Sequence, residues 1–471
     1  MLSNQQAHKH LKSISVIWIS LLAYPRLGMA QARSSFFGSV PTGQASGTTL
    51  ELSLKDAFAR ALKYNLGAIE SGENTRAAQA VRLRNLNALL PNLSARLGGE
   101  LEQINLKALG FNPHFPGVSI PTLVGPFGVA DARAYISQEI YNRSDIANWK
   151  SAAESEKASR YSYQSDRNLV VLTAGNAYLQ VIADEATVDS IRAQVKTAQT
   201  LYTNDVDLNK TGVIASIDLL RARVELQNQQ QRLIAAQNHL AIDKLALGRV
   251  IGLPRGQAFH LTDSVPYVPL EGMTLDQALQ QAYLARPDYL SAKAQVRAAE
   301  LTRQGVSAEN YPSLSTNANF GDIGSPNFGT SHETFSVAVT LNVPIFQGSR
   351  VRADRLQAES TLARRKAELA DLEGRIDDDV RTAFFNLTSS SDLVDVAKSN
   401  VDFANQTLAQ AEDRFAAGVA DNLEVVQAQE SVASANQSYI ASLYSYNLAK
   451  VSLAVALGVA EQSAIQYLGM R

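Results

Sequence analysis

The sequence predicts a mainly α-helical protein with a small β part, built from two copies of one long helical-hairpin unit. Three observations predict it. Short segments recur at fixed offsets along the chain. Apolar residues repeat every seven positions over unusually long stretches. Runs of period-two alternation stand ahead of each long helical stretch.

The recurrence comes first because it sets the boundaries. Ser53-Leu54-Lys55-Asp56-Ala57 returns as Thr274-Leu275-Asp276-Gln277-Ala278, an offset of 221 residues, and Pro91-Asn92-Leu93 returns as Pro312-Ser313-Leu314 at the same offset. Further on the offset is 206. It relates Ala177-Tyr178-Leu179 to Ala383-Phe384-Phe385, Gly212-Val213 to Gly418-Val419, and Gly252 to Gly458. The first copy therefore holds 15 more residues between Leu93 and Ala177. The stretch 109–129, rich in proline, glycine and aromatics, reads as the loop that holds them. The resulting divisions are an N-terminal segment 1–30, an irregular Ser/Gly/Thr-rich leader 31–49, repeats at 50–251 and 273–460, a linker 252–272 and a tail 461–471.

Residues 1–30 read as a secretory signal. Lys9 and Lys12 precede an apolar run from Ile14 to Ala23 that is too short to span a bilayer, and Gly28, Ala30 and Ala32 offer small cleavage positions. Removing Lys9, Lys12 and Arg26 lowers the net charge from -2 to -5. No later apolar run is long enough for a transmembrane helix. With no cysteine in the chain, a lipid-modified N-terminal cysteine, a disulfide and a thiolate metal site are all excluded.

The long helical stretches carry sustained heptads. Ala174, Val181, Val188, Val195 and Tyr202 are each seven apart in the first copy. Val380, Leu387, Val394, Val401, Leu408 and Phe415 match them in the second. A seam of small residues runs beside these at Ala383, Ser390, Ala397, Ala404 and Ala411. Past the glycines, Leu219, Leu226, Leu233, Leu240 and Leu247 correspond to Val425, Val432, Tyr439, Tyr446 and Leu453. A strict seven-residue period predicts supercoiled helices. A helix from Arg143 to Asn209 would reach roughly 100 Å. Gly212 and Gly418 interrupt the pattern at equivalent places, where a left-handed glycine ends a helix. Ser216 and Asp421 then read as the N-caps of the returning helices.

Phe335, Val337, Val339, Leu341 and Val343 alternate with Ser336, Ala338, Thr340 and Asn342. Ala130, Ala132, Ala134 and Ile136 alternate in the same phase with Asp131, Arg133, Tyr135 and Ser137. The preceding partners begin at Leu93 and Leu314. Each run is about ten residues, the length of a tilted membrane-crossing strand. A sheet with one apolar face fits either a soluble core or a barrel with lipid outside and water inside. The signal segment and the polar second face favour the barrel. Four strands cannot close one, since about eight is the practical minimum, so closure needs several chains. Three would give twelve strands.

This combination resembles the TolC-like outer-membrane efflux protein family over residues 50–460. The resemblance rests on the duplication, the strand entries at Pro91 and Pro312, the run Val343-Pro344-Ile345-Phe346-Gln347-Gly348-Ser349-Arg350, and the segments that follow Gly212 and Gly418. It implies a homotrimer with a twelve-stranded outer-membrane β-barrel continued by a twelve-helix periplasmic α-barrel. It implies a passive, gated exit duct, served by a periplasmic adaptor and an inner-membrane pump of the RND, ABC or MFS class. The hairpin tips at Gly212, Val213, Gly418 and Val419 become the expected adaptor contacts. Phe335, Val337, Val339, Leu341 and Val343 become the lipid-facing strand residues. The family narrows its duct with acids six and nine residues past the tip glycine. The six-residue positions hold Asp218 and Glu424, the expected periplasmic gate, while the nine-residue positions hold Arg221 and Gln427, a departure in both repeats. A basic latch residue found in some members is Ala420 here. First-turn acids at Asp218 and Glu424 are equally explained by the helix dipole.

No other chemistry stands out. The histidines show no metal-ligand spacing. There is no Walker pattern and no GxGxxG. A net charge of -2, 7% aromatics and no Lys/Arg block argue against nucleic acid. The expectation is no enzyme and no cofactor. The rival reading from another class is a secreted coiled-coil scaffold without channel activity. The exported substrate and the pump class are not written in the residues.

Overall fold

Both repeats fold as a broken helix, a β-hairpin and a long helical hairpin. The first runs β1 (Leu50–Leu52), α1 (Leu54–Tyr64), α2 (Leu66–Asn87), β2 (Asn92–Asn105), β3 (Leu123–Tyr141), α3 (Arg143–Lys210) and α4 (Ser216–Val250). The second runs β4 (Phe259–Leu261), α5 (Leu275–Ala285), α6 (Pro287–Ala308), β5 (Ser313–Ser325), β6 (Thr330–Asn342), α7 (Arg350–Ala416) and α8 (Asn422–Ala456). A short α9 (Ala460–Tyr467) follows. The computed structural model describes residues 35–111, 117, 121–264, 267–270, 272–325, 329–420 and 422–469. The expected signal segment 1–30 and Asp421 lie outside them.

Helices α3 and α7 hold 68 and 67 residues, so each is about 100 Å long at 1.5 Å per residue. The heptad positions are the ones they bury. Ala174, Val181, Val188, Val380, Leu387, Val394, Leu226, Leu247, Val425, Tyr446 and Leu453 are buried, and the remaining heptad residues are half-buried. The small seam at Ala383, Ser390, Ala397 and Ala411 is buried as well.

Strands and helices keep one lateral order. The sheet runs β2-β3-β5-β6, antiparallel throughout. Near the sheet, α2 packs on α3, α3 on α6, and α6 on α7. Towards the tips α4 packs on α3, α3 on α8, and α8 on α7. Each strand therefore continues into the helix beside it, and four elements stand abreast at every level. The two outer places belong to β2 with α2 and α4, and to β6 with α7.

A helix leads into the β-hairpin of each repeat. That helix is broken at Asn65 in the first repeat and at Arg286 in the second. Both residues take an extended ψ, 135° and 117°, so each is the C-cap of one helix and the N-cap of the next. Asn65 is fully buried. Its Oδ1 accepts from Gly67 N at 2.9 Å, and its Nδ2 donates to Phe36 O at 2.6 Å. Arg286 precedes Pro287, which excludes the helical conformation before it.

Other boundaries also differ. The N-cap of α4 is Ala215, which makes no side-chain cap bond; Ser216 is the first helical residue. The strands hold 13 to 19 residues rather than about ten. Strand β3 begins inside the stretch read as loop, because its outer end, from Leu123 to Val129, pairs with β2 alone. Pro126 is tolerated there, where no second neighbour needs its missing N–H. The pair β1–β4 is parallel, Leu52 facing Leu261, and was too short to be seen as alternation. The segment read as a tail is helical as α9 and contributes buried Ala464 and Leu468.

One core joins residues near both ends of the described chain. Leu52, Leu54, Phe58, Val170, Tyr178, Leu247, Ile251, Val451, Ala460 and Leu468 pack in a single cluster. The Tyr178 hydroxyl reaches Leu52 O at 3.0 Å and the Asp263 carboxylate at 2.9 Å, the polar partners a buried tyrosine requires.

Candidate functional site: strand faces and hairpin tips

Cross-strand register decides which side chains share a face of the sheet. Leu93, Ile136, Ala318 and Val337 form one row, and Ala95, Ala134, Phe320 and Phe335 the next. Leu314 faces Leu341 towards the helices. The alternate rows are Ser94, Tyr135, Asn319, Ser336 and then Arg96, Arg133, Gly321, Thr334. All four strands thus agree in phase, with one apolar face and one polar face. Phe335, Val337, Val339 and Leu341 lie on the apolar face of β6, 63–79% exposed. Val343 follows one residue past the strand end and is also exposed.

The apolar face has two limits. Outward, Asp322 and Glu333 stand directly opposite on that face, an arrangement no hydrocarbon surface would hold. Towards the helices, Tyr141, Tyr311, Ile345 and Phe346 are exposed. Arg143 stacks on Tyr311 at 4.6 Å. Aromatic residues in this place match the girdle that borders an apolar band in membrane barrels.

Both tips close in the same way. Gly212 and Gly418 have φ of 73° and 71°, with open space where a Cβ would stand. Val213 N donates to Leu208 O and Val419 N to Arg414 O, each at 3.0 Å; Gly212 N donates to Asn209 O at 3.1 Å and Gly418 N to Phe415 O at 3.0 Å. Each is a Schellman closure that satisfies the last helical carbonyls. Val213 and Val419 project at 68% exposure each.

Asp218 and Glu424 lie in the first turns of α4 and α8, and each meets a base of its own hairpin. Asp218 pairs with Arg221 at 2.9 Å on the same helix. Glu424 pairs with Arg414, from the last turn of α7, at 3.2 Å. Their settings differ: Asp218 is largely covered, Glu424 open.

A third acid at the tip was missed from sequence. Asp205 on α3 is fully buried. Its Oδ2 accepts from Asn422 Nδ2, the first residue of α8, and that amide also reaches Asp218 O at 3.4 Å. The two hairpins are tied here through three helices, above a cluster of Leu201, Ala222, Ala411, Val425 and Ala428. Burial pushes the Asp205 carboxyl up to about 6; the Asn422 amide opposes that and the Asp218 charge adds to it. Asp184, also on α3, is pushed up to about 6 by burial and by the neighbouring Asp243 carboxyl. The signal was present. Shifted by 206, Asp184 and Asp205 fall on Ser390 and Ala411, members of the small seam in the second copy.

The repeats diverge at a lysine. Lys244 pairs with Glu185 at 2.8 Å. Its counterpart Lys450 is fully buried, and the place of Glu185 is taken by Ser391. Lys450 donates to Val268 O and lies 4.6 Å from the Tyr446 ring centre. Burial lowers it to about 8. Tyr446 accepts from Leu270 N at 3.0 Å, so Lys450 and Tyr446 together strap the linker onto α8. No cluster of metal-ligating side chains and no helix long and apolar enough to cross a membrane occurs among the described residues.

The family described as outer membrane efflux protein matches residues 128–253 and 278–459. The toluene efflux pump outer membrane protein TtgC of Pseudomonas putida is 27% identical over 327 residues, covering 65% of this chain and 64% of that protein, a little under two thirds of its length. The pyoverdine export outer membrane protein OpmQ of Pseudomonas aeruginosa is 27% identical over 390 residues, covering 80% of this chain and 78% of that one. Among solved structures, the Campylobacter jejuni CmeC outer membrane channel superposes with a TM-score of 0.73 at 15% identity, covering 90% of this chain and 92% of that one. At that identity the likeness concerns the fold.

Proposed function

The chain belongs to the outer membrane efflux protein family, and on that premise we propose that it is the exit duct of a tripartite efflux or secretion system. One observation carries the reading. A four-stranded sheet with an exposed apolar face and a polar face is open at both edges and runs in line with four helices abreast. Unpaired strand edges invite pairing with another chain. Three copies side by side close twelve strands into a barrel wide enough for a water-filled lumen. The same three copies set twelve helices around the axis below it.

The flanking helices support that closure. On α4, Ile217, Leu220, Val224 and Ile234 are exposed, and on α7, Phe385, Leu393, Val396 and Phe403. These are the two outer places of the four-abreast layer. In the trimer the α4 stripe of one chain meets the α7 stripe of the next, which removes both from water.

The apolar strand face, with Phe335, Val337, Val339, Leu341 and Val343, contacts outer-membrane lipid. The long helices extend into the periplasm. Val213 and Val419 offer knobs to a periplasmic adaptor, which couples the duct to an energised inner-membrane pump of the RND, ABC or MFS class. The duct itself catalyses nothing and holds no cofactor. Its narrow end carries Asp218 and Glu424. Their pairing with Arg221 and Arg414 sets one guanidinium against each of the six carboxylates a trimer would place around the axis, so the paired ring carries no net formal charge.

Planar-bilayer recording tests the reading. The purified protein should run as a heat-resistant trimer and give unitary currents. Asp218→Ala with Glu424→Ala should raise the open conductance or change cation preference. A soluble elongated monomer without currents would support a scaffold instead.

A further inference from the structure

We infer that Arg96, Arg133 and Tyr135 form an oxyanion subsite on the polar face of the strands. The inference rests on reading that face as the lumen of the duct. Arg96 on β2 and Arg133 on β3 stand directly opposite one another. Like charges in that relation are unfavourable unless something compensates them. Both guanidinium groups lie over one ring: Arg96 is 5.1 Å and Arg133 5.4 Å from the centre of Tyr135. The ring face attracts both cations and holds them near each other.

Compensation by carboxylate is only partial. Asp131 accepts from Arg133 Nε at 2.7 Å and from its Nη2. Among the described residues, Arg96 makes no ion pair. The rest of its row is Gly321 and Thr334, which carry no charge. Gly321 has no room for a side chain, since a Cβ would fall 2.1 Å from Ala132 O. In the next row outward, Gly98, Asp131, Ile323 and His332 share the face, and His332 adds positive charge when protonated. The nearest further acid on β2 is Glu100, four residues along the strand from Arg96. That is about 13 Å, beyond the screening length of about 8 Å at physiological salt.

The cluster therefore carries a net positive charge in each chain, and its unpaired member presents a planar five-donor fork. That fork matches phosphate and carboxylate oxygens bidentately. The ligand class is a small phosphate- or carboxylate-bearing anion. Three copies surround one lumen with three such subsites, so anionic cargo is drawn through this level and small oxyanions compete with it.

Inorganic phosphate is the probe. Added on the barrel side of wild-type channels in a planar bilayer, it should reduce unitary conductance with a measurable half-blocking concentration. Arg96→Gln removes a group with no ion pair, so the trimer should assemble as before. It should raise the half-blocking concentration about tenfold, the scale of one charge-assisted hydrogen bond. Asp131→Asn should lower it. Wild-type channels whose phosphate response is unchanged by Arg96→Gln would overturn the subsite and leave the duct standing. Absence of any wild-type current would overturn both.

Discussion

Asn65 and Arg286 cap the same carbonyl in the two repeats. Asn65 Nδ2 lies 3.4 Å from Val250 O, and Arg286 Nη1 lies 3.4 Å from Ala456 O. The first pair of positions is related by the offset of 221, the second by 206. So the side chain that breaks each entry helix also holds the end of each returning helix. Asn65→Ala removes that contact, the bond to Phe36 O and the cap on Gly67 N. It should cost about 1–3 kcal/mol. Denaturant unfolding of the detergent-solubilised protein measures it, and an unchanged midpoint would show the break to be held by packing alone.

The four repeat-equivalent glycines should not respond alike. All take left-handed φ. A Cβ at Gly212 or Gly418 meets open space, whereas one at Gly252 falls 2.5 Å from Tyr64 Cβ and one at Gly458 falls 2.6 Å from Arg286 Cα. Gly418→Ala should cost about 1 kcal/mol, the backbone penalty alone. Gly458→Ala must also displace the Arg286 backbone and should abolish recovery of folded protein. Comparable yields of the two variants would contradict this.

Asp205 makes the tip sensitive to acid. Its carboxyl titrates higher in the folded protein, about 6, than in an unfolded chain. The folded state therefore binds the proton more readily across that window, and stability falls as pH rises from about 4 to about 6. Acidification tightens the tip and neutral pH loosens it. A proton on Asp205 also offers a donor to the Asn422 amide, whose Oδ1 has no hydrogen-bond partner among the described residues. Hydrogen exchange of residues 201–208 and 422–428, corrected for intrinsic rates, should be slower at pH 5 than at pH 7. Asp205→Asn should remove the difference.

Lys450 has the opposite dependence. Its folded value of about 8 lies below that of a free lysine, so the unfolded chain binds more protons between about 8 and 10.5 and stability rises with pH there. Lys450→Met should stabilise the protein at pH 7 and flatten its stability between pH 8 and 10. Val268 O keeps the Tyr446 hydroxyl as a donor at 3.3 Å. A lower thermal midpoint at pH 7 for the variant would show that the strap to the linker outweighs burial of the charge.

The two faces of β6 should differ in their tolerance of charge. Val337→Arg places a cation on the lipid side and should cost about 2–4 kcal/mol near the bilayer centre. Ser336→Arg, one residue away on the other face, should assemble normally. Heat-resistant trimer in outer-membrane fractions is the readout. Equal loss for both would argue that neither face meets water.

What the sequence revealed followed from period and offset. Long helices repeat their pattern many times, so Val181, Val188, Val380 and Leu387 were identifiable as seam residues without coordinates. The strand phase was legible for the same reason. Features carried by single side chains were not. Nothing in the pattern around Asn65 marks a break; its buried amide and its partners on distant segments create it. Arg286 could have been recognised from the proline after it. Ser216 was placed one position too late as a cap, a distance within which helix ends are hard to assign. The candidate gate acids came from the family resemblance, which says nothing of their bases: Arg414 lies ten residues before Glu424, across a turn.

The shared cluster of Leu52 and Leu468 has a consequence for how the chain is made. These residues stand more than four hundred positions apart and bury one another's neighbourhood. The parallel pairing of β1 with β4 likewise waits for residue 259. An N-terminal half emerging alone has its longest helix but lacks the strands and side chains that cover it. Closing such a loop late is slow. This core therefore cannot close until Leu468 has emerged. A chaperone that holds apolar seams until the final helix arrives would set the pace of maturation.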